Sequence, residues 1–122
     1  MVKASLNPGL SAQKTVTTTN EMSAGHLPVY STPSMIGLME HAARDLLQEH
    51  LDDGETSVGY RVDVRHLAAT PIGKQVTVTA TLRELIDGRK AIFDVEAYNE
   101  DGVKIGDGMH ERRIIPMARM GG

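Results

Sequence analysis

The chain has 122 residues, 40% of them hydrophobic, enough for one domain over residues 1–122 around one core and too few for a second. Its net charge of −3 excludes the basic surface field that a nucleic-acid partner needs. The absence of cysteine removes disulfides, thiolate metal ligands and cysteine nucleophiles.

With one Phe and no Trp, the core must be built from aliphatic side chains and methionine, and domains this small often complete their burial against a second copy. Residues 1–10 carry one lysine and no continuous apolar run. That is the profile of neither a signal peptide nor a membrane span, so a soluble, cytoplasmic protein without membrane contact is expected. Thr15 to Asn20 is rich in β-branched residues and predicts a first strand, whose nearly all-polar side chains suit a sheet edge. Met22 to Tyr30 has a loop composition and would serve as a flap over whatever lies beneath it.

From Pro33 to His50 the residues Met35, Ile36, Met39, Ala42, Ala43, Leu46 and Leu47 share one stripe at about 100° per residue, which predicts a helix. Pro33 at the first helical position, after Ser31 or Thr32 as cap, marks its start, and Asp52-Asp53-Gly54 its stop. Glu40 sits at the border of the stripe, beside Ile36 and Leu47, whereas Arg44, Asp45, Gln48 and Glu49 lie on the polar side.

After the helix the period becomes two. Val58, Tyr60, Val62, Val64 and His66 are expected on one face of a strand, opposite Gly59, Arg61, Asp63 and Arg65. Val76, Val78, Ala80 and Leu82 predict the next strand, Asp87-Gly88 a hairpin turn, and Ala91, Phe93, Val95 and Ala97 the returning strand. A turn at Glu100-Asp101-Gly102 leads to a last strand, Val103 to Ile115, in which Gly106 and Gly108 signal a bulge or a close backbone approach. Strand, helix and four strands make an α+β two-layer domain, an antiparallel sheet curled around one long central helix.

Glu40, at the edge of an apolar face, is placed to be partly desolvated, which suits a general base or nucleophile; a solvated or ion-paired helix carboxylate would occupy the same position. His66 ends its strand among apolar residues and fits either proton transfer or a hydrogen-bonded core histidine. Thr32 offers a hydroxyl to a substrate or simply caps the helix. If Thr32 and Glu40 lie on one continuous helix, their backbones stand about 12 Å apart, so joint action requires an extended substrate, an irregular first turn or a second subunit. His110 and Arg112 share a face of the last strand, where they would bind an anion or form an outward basic ladder. Ser57 has no nucleophile elbow around it, the five histidines have no zinc-ligand spacing, and no glycine-rich phosphate loop is present, so no metal or cofactor is expected. The residues by themselves reach as far as a small hydrolase or binding module with a Glu/His site.

Three blocks carry a resemblance: Thr32 to Glu40, ending Gly37-Leu38-Met39-Glu40; His66-Leu67-Ala68-Ala69-Thr70-Pro71-Ile72-Gly73 with the Val-Thr-Val-Thr strand after it; and Ile105 to Arg112. On these the chain resembles hot-dog-fold thioesterases, most closely the fluoroacetyl-CoA thioesterase family. The resemblance implies hydrolysis of an acyl-CoA to free acid and CoA, with Thr32, Glu40 and His66 catalytic and Arg112 and Gly37 binding substrate. It also implies a homodimer, able to pair further into a tetramer, with two helices side by side and the acyl-CoA at the subunit interface. Two departures matter. The Met22 to Tyr30 loop is shorter and lacks the family's phenylalanine-bearing lid, which points to a different small or medium acyl group. Pro33 replaces a glycine and has no N–H for an oxyanion. The alternatives are a non-catalytic acyl-CoA or small-ligand binding module, and a hydratase or dehydratase on the same scaffold.

Overall fold

A computed structural model describes residues 2–119. Five strands and one long helix follow the expected order: β1 (Ser11–Thr17), α1 (Thr32–Gln48), β2 (Glu55–His66), β3 (Gln75–Ile86), β4 (Lys90–Asn99) and β5 (Lys104–Pro116). All pairings are antiparallel, and the sheet order is β1-β3-β4-β5-β2. β1 is an edge strand, as its polar side chains predict, but starts at Ser11, four residues earlier than its β-branched run suggests. Its extra residues pair with the middle of β3, Ser11 opposite Thr81 and Ala12 opposite Ala80.

The helix is held at its start by Ser31, whose Oγ accepts from the Ser34 N–H at 3.2 Å. Met35, Met39, Ala42, Ala43, Leu46 and Leu47 are buried; Ile36, expected with them, is only half-buried at the stripe's edge. These side chains meet the inward residues of the hairpin, Val76, Val78, Ala80 and Leu82 of β3 and Ala91, Phe93, Val95 and Ala97 of β4, all buried. The hairpin turns at Asp87 and Gly88, with φ of 55° and 64°, a turn that needs positive φ at both central residues. α1 touches all five strands, as a sheet wrapped around it requires.

The expected facing of β2 is overturned at its start. The pairing with β5 shifts between Gly59 and Arg61, so Tyr60 is an extra residue in a β-bulge. A bulge reverses the alternation: Ser57 and Gly59 face inward before it, and Val62, Val64 and His66 after it. Val58 and Tyr60 therefore face outward, with the Tyr60 ring, 62% exposed, stacked 3.6 Å from the Arg113 guanidinium. Gly106 is the close approach its sequence signals, since a Cβ there would lie 2.5 Å from Met35 Sδ. Among the described residues no helix is long and apolar enough to cross a membrane.

Candidate active site

Because Ser31 provides the cap, Thr32 becomes the first residue of α1 and its hydroxyl is not used in capping. It instead hydrogen-bonds His66 Nδ1 at 2.8 Å, across 34 residues of sequence. His66 is placed by the last register pair of β2 with β5, opposite Gly106. Just beyond it, the Leu67 N–H donates to the Ile105 carbonyl at 2.7 Å. Burial pushes the imidazole below its ordinary pKa, and the nearby Ala68 backbone counteracts part of that. Nε2 is buried without a well-formed hydrogen bond. A neutral imidazole hydrogen-bonded to a hydroxyl at a cavity wall is equipped to exchange a proton by way of that hydroxyl.

Thr32 and His66 open onto a cavity of about 350 Å³, whose other walls come from Leu67, Ala68 and Ala69 and from Ala24, His26, Leu27, Val29 and Tyr30 of the loop. The Met22 to Tyr30 segment thus forms one wall over the site, as its flap-like composition suggests. Mostly apolar walls with a few convergent polar groups are usual for a small-molecule pocket.

Glu40 lies elsewhere on the helix. Since α1 is continuous from Thr32 to Gln48, the spacing of about 12 Å between the Thr32 and Glu40 backbones holds. The half-buried Glu40 carboxylate lies against the bare Cα of Gly59, where a Cβ would stand 2.8 Å from Oε2. Arg112 Nη1 is 4.0 Å from the same oxygen. An outward ladder of His110 and Arg112 is excluded, because they are only 1% and 5% exposed and face the helix.

The arginine is gripped on three sides. Nε donates to Ser57 Oγ at 2.9 Å and Nη2 to the Ser57 carbonyl at 3.0 Å. Nη1 lies 3.2 Å from His110 Nε2, and since arginine only donates, that nitrogen must be the acceptor. The His110 proton is then on Nδ1, donated to the Arg61 carbonyl at 2.9 Å, just past the bulge. Burial is the main reason His110 stays below its ordinary pKa, with the Arg112 charge adding to it. Neutral His110 and cationic Arg112 form a fixed support beside Glu40.

Gly37 lies apart from both clusters, on the face of α1 turned toward β1, and nothing stands within 4 Å of where its Cβ would be. The sequence reading missed Ser57, Gly59 and Tyr30 as parts of the site. Ser57 and Gly59 are turned inward by a bulge that has no local sequence signature, and Tyr30 lies in a stretch readable only as loop. Among the described residues no group of three or more His, Asp or Glu side chains is placed to hold a metal ion.

A family model described as fluoroacetyl-CoA-specific thioesterase matches residues 11–118. A fluoroacetyl-CoA thioesterase of Streptantibioticus cattleyicolor is 45% identical over 92 residues, which is 75% of this chain and 64% of that protein, so the match spans just under two thirds of the relative. Among solved structures, a thioesterase-superfamily member of Thermus thermophilus superposes with a TM-score of 0.90 at 33% identity, over 97% of this chain and 90% of that one. A point mutant of the fluoroacetyl-CoA-specific thioesterase FlK, in complex with fluoroacetate and CoA, gives 0.85 at 32% identity, over 94% and 99% of the two chains. The antiparallel sheet wrapped on one helix is the hot-dog fold that the three sequence blocks imply.

Proposed function

Since the chain belongs to the fluoroacetyl-CoA-specific thioesterase family, we propose that it hydrolyses a small or medium acyl-CoA to the free acid and CoA. The observation that carries this reading is the Thr32–His66 hydrogen bond of 2.8 Å at the mouth of a cavity. A thioester carbonyl held there meets a hydroxyl that positions it and an imidazole that exchanges protons. The attack comes from Glu40, which either takes a proton from water or adds to the carbonyl itself. In both routes the C–S bond breaks and the departing thiolate takes its proton through His66; in the second, water then hydrolyses the acyl–Glu40 anhydride, which releases the free acid and restores the carboxylate. Arg112 steadies Glu40 and supplies positive charge toward an anionic part of the substrate. Pro33 has no N–H, so the oxyanion donor comes from another group.

One chain keeps the Thr32–His66 pair and Glu40 apart, and a homodimer accounts for their cooperation. β2 is a sheet edge with Tyr60 and Val62 exposed and the exposed Leu67 just beyond its end, the kind of surface that pairs with a second copy. With two copies joined along it, the acyl-CoA lies between subunits, and the Thr32–His66 pair of one works with Glu40 of the other. The cavity of about 350 Å³ is near the small end of ligand pockets, which favours a short acyl group.

The test is CoA release across a panel of acyl-CoAs, with wild type and Glu40→Gln. Hydrolysis of short acyl-CoAs is expected, with kcat reduced at least about a hundredfold in the variant if Glu40 is base or nucleophile. Equal rates for both proteins would remove Glu40 from the mechanism, and saturable binding without product would make this a binding module.

A further inference from the structure

The cavity at Thr32 and His66 has a neighbour, and one residue lines both. The cavity at Thr32 and His66 ends on one side at Tyr30. A second cavity, about 320 Å³, lies on the face of α1 toward β1 and is also lined by Tyr30. Tyr30 is the one described residue that lines both. It is 2% exposed, a buried aromatic residue common to the two linings.

The second cavity suits a methylene chain. Its walls are chiefly Val16, Met22, Gly37 and Leu38, and its polar groups are Ser34 and His41. The Ser34 hydroxyl is already engaged by Ser31 Oγ at 2.8 Å, and His41 is exposed at the rim. Gly37 leaves the space open, with no atom within 4 Å of its Cβ position. Tyr30 itself is firmly placed. Its N–H donates to the Thr70 carbonyl at 2.8 Å, and the next residue's N–H donates to the Met22 carbonyl at 2.8 Å. Its phenol has no hydrogen-bond partner among the described residues, so no polar network explains the ring, and burial raises its pKa to about 12.

We propose that Tyr30 sets the acyl chain length: its ring closes the acyl cavity at Thr32 and His66 against the apolar cavity beside Gly37 and Leu38, into which a longer chain would otherwise extend. This rests on the acyl-CoA reading above, and its test is read by binding, independently of turnover.

The experiment is calorimetric titration of non-hydrolysable S-alkyl-CoA thioethers, from butyl to dodecyl, into wild type, Tyr30→Phe, Tyr30→Leu and Tyr30→Ala, each checked for folding by circular dichroism. In wild type and Tyr30→Phe, affinity should stop rising once the chain reaches the ring. In Tyr30→Ala it should keep rising, by roughly fourfold for each further methylene that becomes buried, and adding Gly37→Leu should abolish that gain. Tyr30→Leu removes less volume and extends the series by fewer methylenes; it carries the test if the alanine variant does not fold. The same chain-length profile in wild type and a folded Tyr30→Leu or Tyr30→Ala protein overturns the proposal. A wild type that binds the thioethers but hydrolyses no acyl-CoA would sink the thioesterase reading and leave this inference to the binding profile.

Discussion

Substituting Gly59 by alanine would move the Glu40 carboxylate without removing it. The added Cβ would lie 2.8 Å from Glu40 Oε2, 3.5 Å from His110 Cε1 and 3.7 Å from Arg112 Nη1. The two longer distances are ordinary contacts, so only the carboxylate must yield, by about 0.6 Å to reach the 3.4 Å at which ordinary contact begins. It can do so because it ends a flexible side chain, and Gly59 has no positive φ that alanine would resist. The strain is therefore small, and alanine restricts the unfolded chain by a compensating 0.4–1 kcal/mol or so, which leaves stability within about 1 kcal/mol of wild type. Activity responds differently, because a misplacement approaching 1 Å at a catalytic group costs on the order of a hundredfold. A fall in kcat of roughly 10- to 100-fold, with little change in KM, is expected. The assay is acyl-CoA turnover followed by thiol release, alongside thermal unfolding. A Gly59→Ala protein with wild-type kcat would refute the claim that the seating of Glu40 against β2 matters to the reaction.

Arg112→Lys keeps the charge but loses the fork, leaving the Ser57 carbonyl and His110 Nε2 without their donors; a loss of about 1–3 kcal/mol in urea unfolding is expected, and an unchanged midpoint would contradict the network. His66 and His110 both sit below their ordinary value of 6.5, chiefly through burial. As pH falls below about 6.5 the unfolded chain takes up protons that the native state does not, so stability should drop toward pH 5. Denaturant midpoints that rise on acidification over that range would reverse the sign. A site shared between copies predicts a sedimentation mass of at least twice 13.2 kDa at micromolar protein, and a monomer there would undermine it.

Much of the fold is legible because its signals are local. The alternation of Val76, Val78, Ala80 and Leu82 with threonines, the Asp87-Gly88 turn and the apolar stripe from Met35 to Leu47 each depend on a few neighbouring residues, and each folds as that pattern predicts. Within the site, the inward facing of His66 and the border position of Glu40 are likewise legible. The partners of these residues are not. Thr32 reads equally well as a helix cap, and only Ser31's taking that role frees its hydroxyl for His66.

β2 shows where local reading ends. Its alternation alone turns Tyr60 inward and Ser57 outward, and the structure does the reverse, because a bulge arises when β5 pairs with β2 out of step. That one unpaired residue brings Ser57 and Gly59 beneath Glu40 and Arg112. The sequence by itself determined the elements, their order, the buried faces of α1, β3 and β4, and the residue types of the site, since periodicity and turn chemistry act over a few residues. Only the tertiary structure decided that Arg112 points inward, that Thr32 meets His66 while Glu40 stands apart, and that Tyr30 lines two cavities. Those outcomes depend on strand register and on packing between segments distant in the chain.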